Sequence, residues 1–129
     1  MIYFIEANPR YDALVTEIFR RIAGGVPDGL CSVITLTEVL VHPLRQGNRQ
    51  LAQEYTNLLL ASPHFFTVPI DATTANSAAD LRARYNLRTP DAIQIAAALE
   101  HGCDAFLTND TTLARVTELR VLILDQLEL

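Results

Sequence analysis

The segment Thr89-Pro-Asp-Ala-Ile-Gln-Ile-Ala-Ala-Ala-Leu-Glu-His-Gly-Cys-Asp-Ala-Phe-Leu-Thr-Asn-Asp110 decides the fold. Its first half reads as a helix, with Thr89 as a hydroxyl cap, Pro90 at the first helical position and a stop at His101-Gly102. Ala105 to Leu107 then reads as a short apolar strand that does not alternate with polar residues. The same grammar recurs outward in both directions. Leu30 to Ile34 reads as a buried strand, followed by a helix over Thr35 to Arg45. Asn48 opens another helix, with Leu51, Tyr55, Leu58 and Leu59 on one face. Phe65 to Val68 is a strand, Ala72 to Tyr85 an Ala-rich helix, Thr111 to Val116 a short helix and Val121 to Leu124 the last strand. Before all of these, Tyr11 to Ala23 carries Leu14, Val15, Ile18, Phe19 and Ile22 at helical spacing. Apolar strands separated by helices imply a parallel sheet covered on both faces, hence a three-layer α/β fold. At 129 residues the chain is expected to form a single domain, 1–129. In such sheets the functional site lies at the carboxyl ends of the strands.

Composition narrows the chemistry. All ten basic residues are Arg, so there is no Lys. This removes a Walker-type phosphate loop, Schiff-base catalysis and the usual aspartyl-phosphate receivers. A small-molecule phosphatase on a doubly wound sheet lacks its early nucleophilic Asp and its Lys. The net charge of −5 argues against a broad basic surface for nucleic acid. It leaves open a nuclease whose acids surround a metal, because net charge does not report where charges sit. Cys31 and Cys103 are far apart in apolar stretches and read as buried, reduced thiols of a cytoplasmic protein. Met1 to Ile5 is too short for a signal peptide. The longest uncharged run, Tyr55 to Ile70, contains two prolines and falls short of the ~18–20 residues of a membrane span.

Three acids stand where the fold can gather them. Glu38 follows the strand Leu30 to Ile34, in the first turn of the next helix. Asp91 lies in the first turn after Pro90, and Asp110 directly follows the strand Ala105 to Leu107. Clustered carboxylates bind hard divalent cations such as Mg²⁺ or Mn²⁺. Each acid also has an ordinary reading. Asp91 complements a helix dipole, Glu38 is solvated, and Asp110 caps a turn before Thr111-Thr112.

The segments Ser32-Val-Ile-Thr-Leu-Thr-Glu38-Val, Arg88-Thr-Pro-Asp91-Ala-Ile-Gln-Ile-Ala-Ala-Ala and Asp104-Ala-Phe-Leu-Thr-Asn-Asp110 resemble the second, third and fourth acidic motifs of PIN-domain ribonucleases. They are most similar to the VapC-type toxins of toxin–antitoxin pairs. Order, spacing and flanks agree over essentially the whole chain. The resemblance implies a Mg²⁺- or Mn²⁺-dependent endoribonuclease acting on RNA, a homodimer and a cognate antitoxin partner. It assigns Glu38, Asp91 and Asp110 to the metal and to catalysis. It matches Thr108 to the small hydroxyl residue two before the last acid and leaves Asn109 as a supporting donor.

The family's first motif is an Asp at the end of the first strand. Met1 to Tyr11 resembles instead the later part of the helix that follows it, and neither Glu6 nor Asp12 matches the acid. The first strand is therefore expected to be missing, by about ten residues including its turn, or to be rebuilt by Met1 to Ile5 in extended form or by exchange with another chain. Two functions follow from this. One is the metal-dependent endoribonuclease. The other is a weakened or inactive module that keeps the dimer and the antitoxin contact. Further candidates are weaker. His42 and Arg45 share a helix face with Glu38, and His64 and His101 lack metal-ligand spacing. Arg82, Arg84 and Arg88 read as an exposed helix face or as contacts to RNA phosphates.

Overall fold

The computed structural model describes residues 1–6, 20, 24 and 28–126. Apart from Arg20, the helix read over 11–23 lies outside the described residues, and so does Asp12. Elements are numbered in chain order within the described set.

Five parallel strands form one sheet in the order β3-β2-β1-β4-β5. They are β1 (Ile2–Ile5), β2 (Asp28–Ser32), β3 (Phe65–Val68), β4 (Ala105–Thr108) and β5 (Arg120–Ile123). Among the described residues four helices with both ends defined accompany them: α1 (Val33–Arg45), α2 (Arg49–Ala61), α3 (Ala72–Tyr85) and α4 (Thr89–Glu100). The short helix read after Asp110 is a 3₁₀ turn over Thr111–Arg115.

The reading of the N-terminus is corrected. Ile2–Ile5 is the central strand, with Phe4 beside Leu30 on one side and beside Phe106 on the other. The rebuilt alternative holds, and the likeness of this stretch to the end of a helix does not. The physical reason is pairing: both neighbours need a partner for their backbone groups, and an apolar Ile-Tyr-Phe-Ile run supplies it. Asp104 anchors the start of β1, accepting the Ile2 N–H at 2.8 Å while its own N–H donates to the Ile2 carbonyl at 2.7 Å.

Alternate strand residues feed two cores. Phe4, Leu30 and Phe106 face α3 and α4, where they meet Leu81, Ala92 and Ile95. Ile5, Cys31 and Leu107 face the other way, toward Val39 of α1 and Leu59 of α2. The Phe4 and Phe106 rings stack with centroids 5.0 Å apart. The Ala-rich run Ala96 to Ala98 is wholly buried, since small side chains let α4 lie close on the sheet. Cys31 is buried but Cys103 only partly so, and burial raises both thiols to about 11. On α2, Leu59 is buried whereas Leu58 and Leu60 are exposed.

Two helix starts differ from expectation. Helix α1 begins at Val33, because the Ser32 side chain accepts the Ile34 N–H at 3.1 Å and ends the strand there. Val33 and Ile34 are β-branched, so they read as strand until the cap is seen. Helix α4 is preceded by Arg88 with no side-chain cap, and Thr89 is its first residue. The Thr89 hydroxyl accepts instead from Arg82 at 3.0 Å. Asn48 and Asp71 do cap their helices, accepting the N–H groups of Leu51 and Thr74.

Candidate functional site

The strand order reverses between β1 and β4: β2 and β3 lie to one side of β1, and β4 and β5 to the other. A parallel sheet opens a crevice at the carboxyl ends of its strands at such a point. Glu6 follows β1 there, and Thr108 ends β4 beside it. The register pairs Ile5 with Leu107, and the Glu6 N–H donates to the Leu107 carbonyl at 2.9 Å.

Glu6 is the residue that sequence reasoning set aside. It is partly buried, and Asp91, Glu38 and Asp110 all act electrostatically on it. Its pKa is pushed up to about 7, first by burial and then by the Asp91 charge, with Glu38 and Asp110 adding to it. A hydrogen bond from Thr108 Oγ1 to Glu6 Oε1, at 3.0 Å, acts in the opposite direction. The other oxygen, Oε2, is buried without a partner. The signal available in the sequence was the position of Glu6 directly after the apolar run Met1 to Ile5. A Glu one methylene longer than the expected Asp, and so near the first residue, hid it.

The three acids expected at the site lie at the same end of the sheet as Glu6, near enough for each to act on its charge. Asp91 lies in the first turn of α4 and is only 7% exposed. Glu38 lies in the second turn of α1, not the first, because the helix starts two residues early. It is exposed, and burial of its inner side followed by the Asp91 charge raises its pKa, while Arg88 lowers it. Asp110 performs the capping duty too: its Oδ1 accepts the Thr112 N–H at 2.9 Å and the Thr112 hydroxyl at 2.6 Å. A carboxylate has a second oxygen, so a cap and a site residue are compatible.

Thr108 links two of the acids. Its fully buried hydroxyl donates to Glu6 and accepts the Asp110 N–H at 3.1 Å. Asn109 holds the neighbouring turn, its Oδ1 accepting the Asp125 N–H at 3.2 Å, and its Nδ2 is buried without a partner. Beneath Glu38 and Asp91 lies a buried polar latch. The Ser32 hydroxyl donates to Gln94 Oε1 at 2.5 Å, and Gln94 Nε2 donates to Thr35 Oγ1 at 2.8 Å. Thr35 and Glu38 are three residues apart on α1, and Asp91 and Gln94 three apart on α4. The latch therefore sets the two acid-bearing helix faces against each other.

Among the described residues, no three Asp, Glu, His or Cys side chains are close enough to share an ion as they stand. The donor set still fits a hard divalent cation. All four groups offer carboxylate oxygen, one buried oxygen is unpaired, and burial followed by the Asp91 charge raises the pKa of Glu6 and of Glu38. Two of the three histidines have partners elsewhere: His64 pairs with Asp28 at 3.4 Å, and His101 bonds the Ala97 carbonyl at 2.9 Å.

A family model for the PIN domain matches residues 1–119. A comparison with curated protein sequences finds no match. Solved structures are similar over nearly the full length. The DNA-bound VapBC of Salmonella typhimurium superposes with a TM-score of 0.75 at 14% identity, covering 96% of this chain and 98% of that one. FitAcB of Neisseria gonorrhoeae gives 0.67 at 20% identity, covering 98% and 100%. VapC20 of Mycobacterium tuberculosis, a sarcin-ricin-loop-cleaving toxin, gives 0.65 at 18% identity, covering 93% and 99%. With three acidic motifs in order, a sheet that reverses at β1 and β4, and a family match over most of its length, the chain belongs to the PIN domain family.

Proposed function

We propose that the chain is a divalent-metal-dependent endoribonuclease, the toxin of a toxin–antitoxin pair. The observation that carries this reading is the placement of Glu6 at the switch point of the sheet, within electrostatic reach of Glu38, Asp91 and Asp110. In this reading they hold Mg²⁺ or Mn²⁺. A cation bound there supplies an activated water and offsets charge on the scissile phosphodiester. The chain's own residues prepare the site. Thr108 holds Glu6 and Asp110 at a fixed separation through one hydroxyl. The Ser32–Gln94–Thr35 latch fixes Glu38 against Asp91. Asn109 offers a buried amide donor beside the last acid.

The partners follow by similarity. Several of the related structures are toxin–antitoxin complexes, which supports a cognate antitoxin for this chain as well, and a homodimer is part of the same proposal. No described helix is long and apolar enough to cross a membrane, and a cytoplasmic site of action is part of the same proposal. The reading as an inactive module rested on an absent first carboxylate, and Glu6 removes that ground. The test is cleavage of RNA with Mn²⁺ by the chain and by its Asp91→Asn variant. Loss of cleavage by at least about 100-fold is expected, on the scale of removing a main charge-stabilising group. Equal cleavage by both proteins refutes the proposal.

A further inference from the structure

The structure divides the three clustered arginines by what they are free to do. Arg82 is used up inside the fold: its Nε donates to the Leu87 carbonyl and its Nη1 to Thr89, each at 3.0 Å. Arg84 is paired with Asp80 at 3.0 Å and with Glu118 at 3.3 Å, and lies over the Tyr85 ring. Arg88 differs from both. Its side chain is 78% exposed, and a single donor, Nε, holds Asp91 Oδ2 at 3.0 Å. Its two terminal amino groups have no protein partner among the described residues. It stands immediately before α4, three residues from the most buried acid of the site.

We propose that Arg88 is a phosphate-binding residue for single-stranded RNA, parked on Asp91 until a divalent cation takes over that carboxylate. The proposal rests on the metal-site reading above. A cation bound by Asp91 would draw on the carboxylate charge that now holds Arg88, and an ion pair exposed on its arginine side is weak enough to break. Once displaced, the guanidinium stays within a few ångströms of the site, tethered by its own backbone. Its planar fork then matches the two oxygens of a phosphate, in a bidentate geometry that an ammonium cannot reproduce. The pair also keeps one carboxylate neutralised in the metal-free protein, which lowers the repulsion within the cluster.

Competition predicts effects of opposite sign. Removing the guanidinium strengthens metal binding and weakens RNA binding. The test uses full-length protein, wild type, Arg88→Gln and Arg88→Lys, with Arg84→Gln as control. Mn²⁺ binding is measured by titration calorimetry without RNA. Binding of a labelled mixed-sequence RNA 12-mer is measured by anisotropy in Ca²⁺ over a salt series, with intact RNA confirmed on gels. Arg88→Gln is expected to bind Mn²⁺ about 2–5-fold tighter and RNA about 5–10-fold weaker. Its salt dependence should flatten by about 0.7, the loss of one phosphate contact on a single strand. Arg88→Lys keeps the salt slope and loses part of the affinity, and Arg84→Gln changes neither quantity. Unchanged RNA affinity and slope in Arg88→Gln overturn the proposal. So does a fall in Mn²⁺ affinity alongside RNA affinity, because Arg88 would then only brace Asp91. Failure of the wild-type chain to bind Mn²⁺ overturns the metal-site reading as well.

Discussion

Glu6 shows how one residue can carry both a cost and a use. Its carboxyl is partly buried beside three other acids, one oxygen is unpaired, and its pKa is near 7 instead of the ordinary 4.5. Well below pH 4.5 the group is protonated in folded and unfolded chains alike, and contributes nothing. Between 4.5 and 7 only the unfolded chain ionises, so folding becomes progressively less favourable as pH rises. Above 7 the penalty is complete, at most about 3 kcal/mol for a shift of this size. Glu6→Gln keeps an acceptor for Thr108 and removes the charge. In chelated buffer the variant is expected to exceed the wild type in stability at pH 8 and to match it near pH 4.5. Urea denaturation at the two pH values checks this, and an equal difference at both refutes the assignment. The same property makes Glu6 useful. A carboxylate that is expensive to ionise alone becomes inexpensive beside a cation, so on the proposed metal-site reading the residue that destabilises the metal-free fold would strengthen metal binding.

At the level of elements, the site depends on how α1 meets α4. Neither helix carries its acid at a fixed place by its own geometry, and the Ser32–Gln94–Thr35 latch supplies the register between them. Gln94 is 1% exposed, so its amide is affordable only because both ends are bonded. Gln94→Leu leaves two buried hydroxyls without their partner and is expected to destabilise by about 2 kcal/mol. Adding Thr35→Val to that variant should recover part of the loss, since replacing both partners of a buried hydrogen bond is far milder than removing one. A double-mutant cycle in urea measures this, and strict additivity would argue against a direct coupling. The helix boundaries make the same point. Ser32 was legible as a cap only in hindsight, because the β-branched Val33 and Ile34 that follow it fit a strand equally well on pattern alone. Thr89, by contrast, looked like a cap and instead accepts from Arg82.

For the molecule as a whole, the net charge of −5 is partly concentrated in one crevice. Asp91, Glu38 and Asp110 all act electrostatically on Glu6 there, and Arg88 is in contact with Asp91. Divalent ions should therefore act on global stability, since a ligand that binds only the folded state adds RT ln(1 + [L]/Kd). At 100 times its dissociation constant, Mn²⁺ should stabilise the protein by about 2.7 kcal/mol. Thermal denaturation with Mn²⁺ and with excess chelator measures the effect, and Asp91→Asn should abolish most of it. An identical rise in Tm in that variant would place the ion elsewhere.

Much was determined by the sequence alone. Alternating apolar runs and helical segments dictated a parallel three-layer sheet, because strands buried on both faces must be apolar throughout. The order and flanks of Glu38, Asp91 and Asp110 marked the carboxyl edge of that sheet as the candidate site. What those patterns could not express is non-local. Whether Ile2–Ile5 is the end of a helix or the central strand depends on the vacant hydrogen-bonding edges of β2 and β4, which lie far along the chain. Once that strand is placed, Glu6 reaches Thr108, 102 residues away in sequence, and the fourth carboxylate exists. Arg88 was likewise indistinguishable from Arg82 and Arg84 until packing paired those two and left its terminal amino groups exposed. Backbone pairing and burial made these decisions, and both are properties of the assembled sheet and not of any local run of residues.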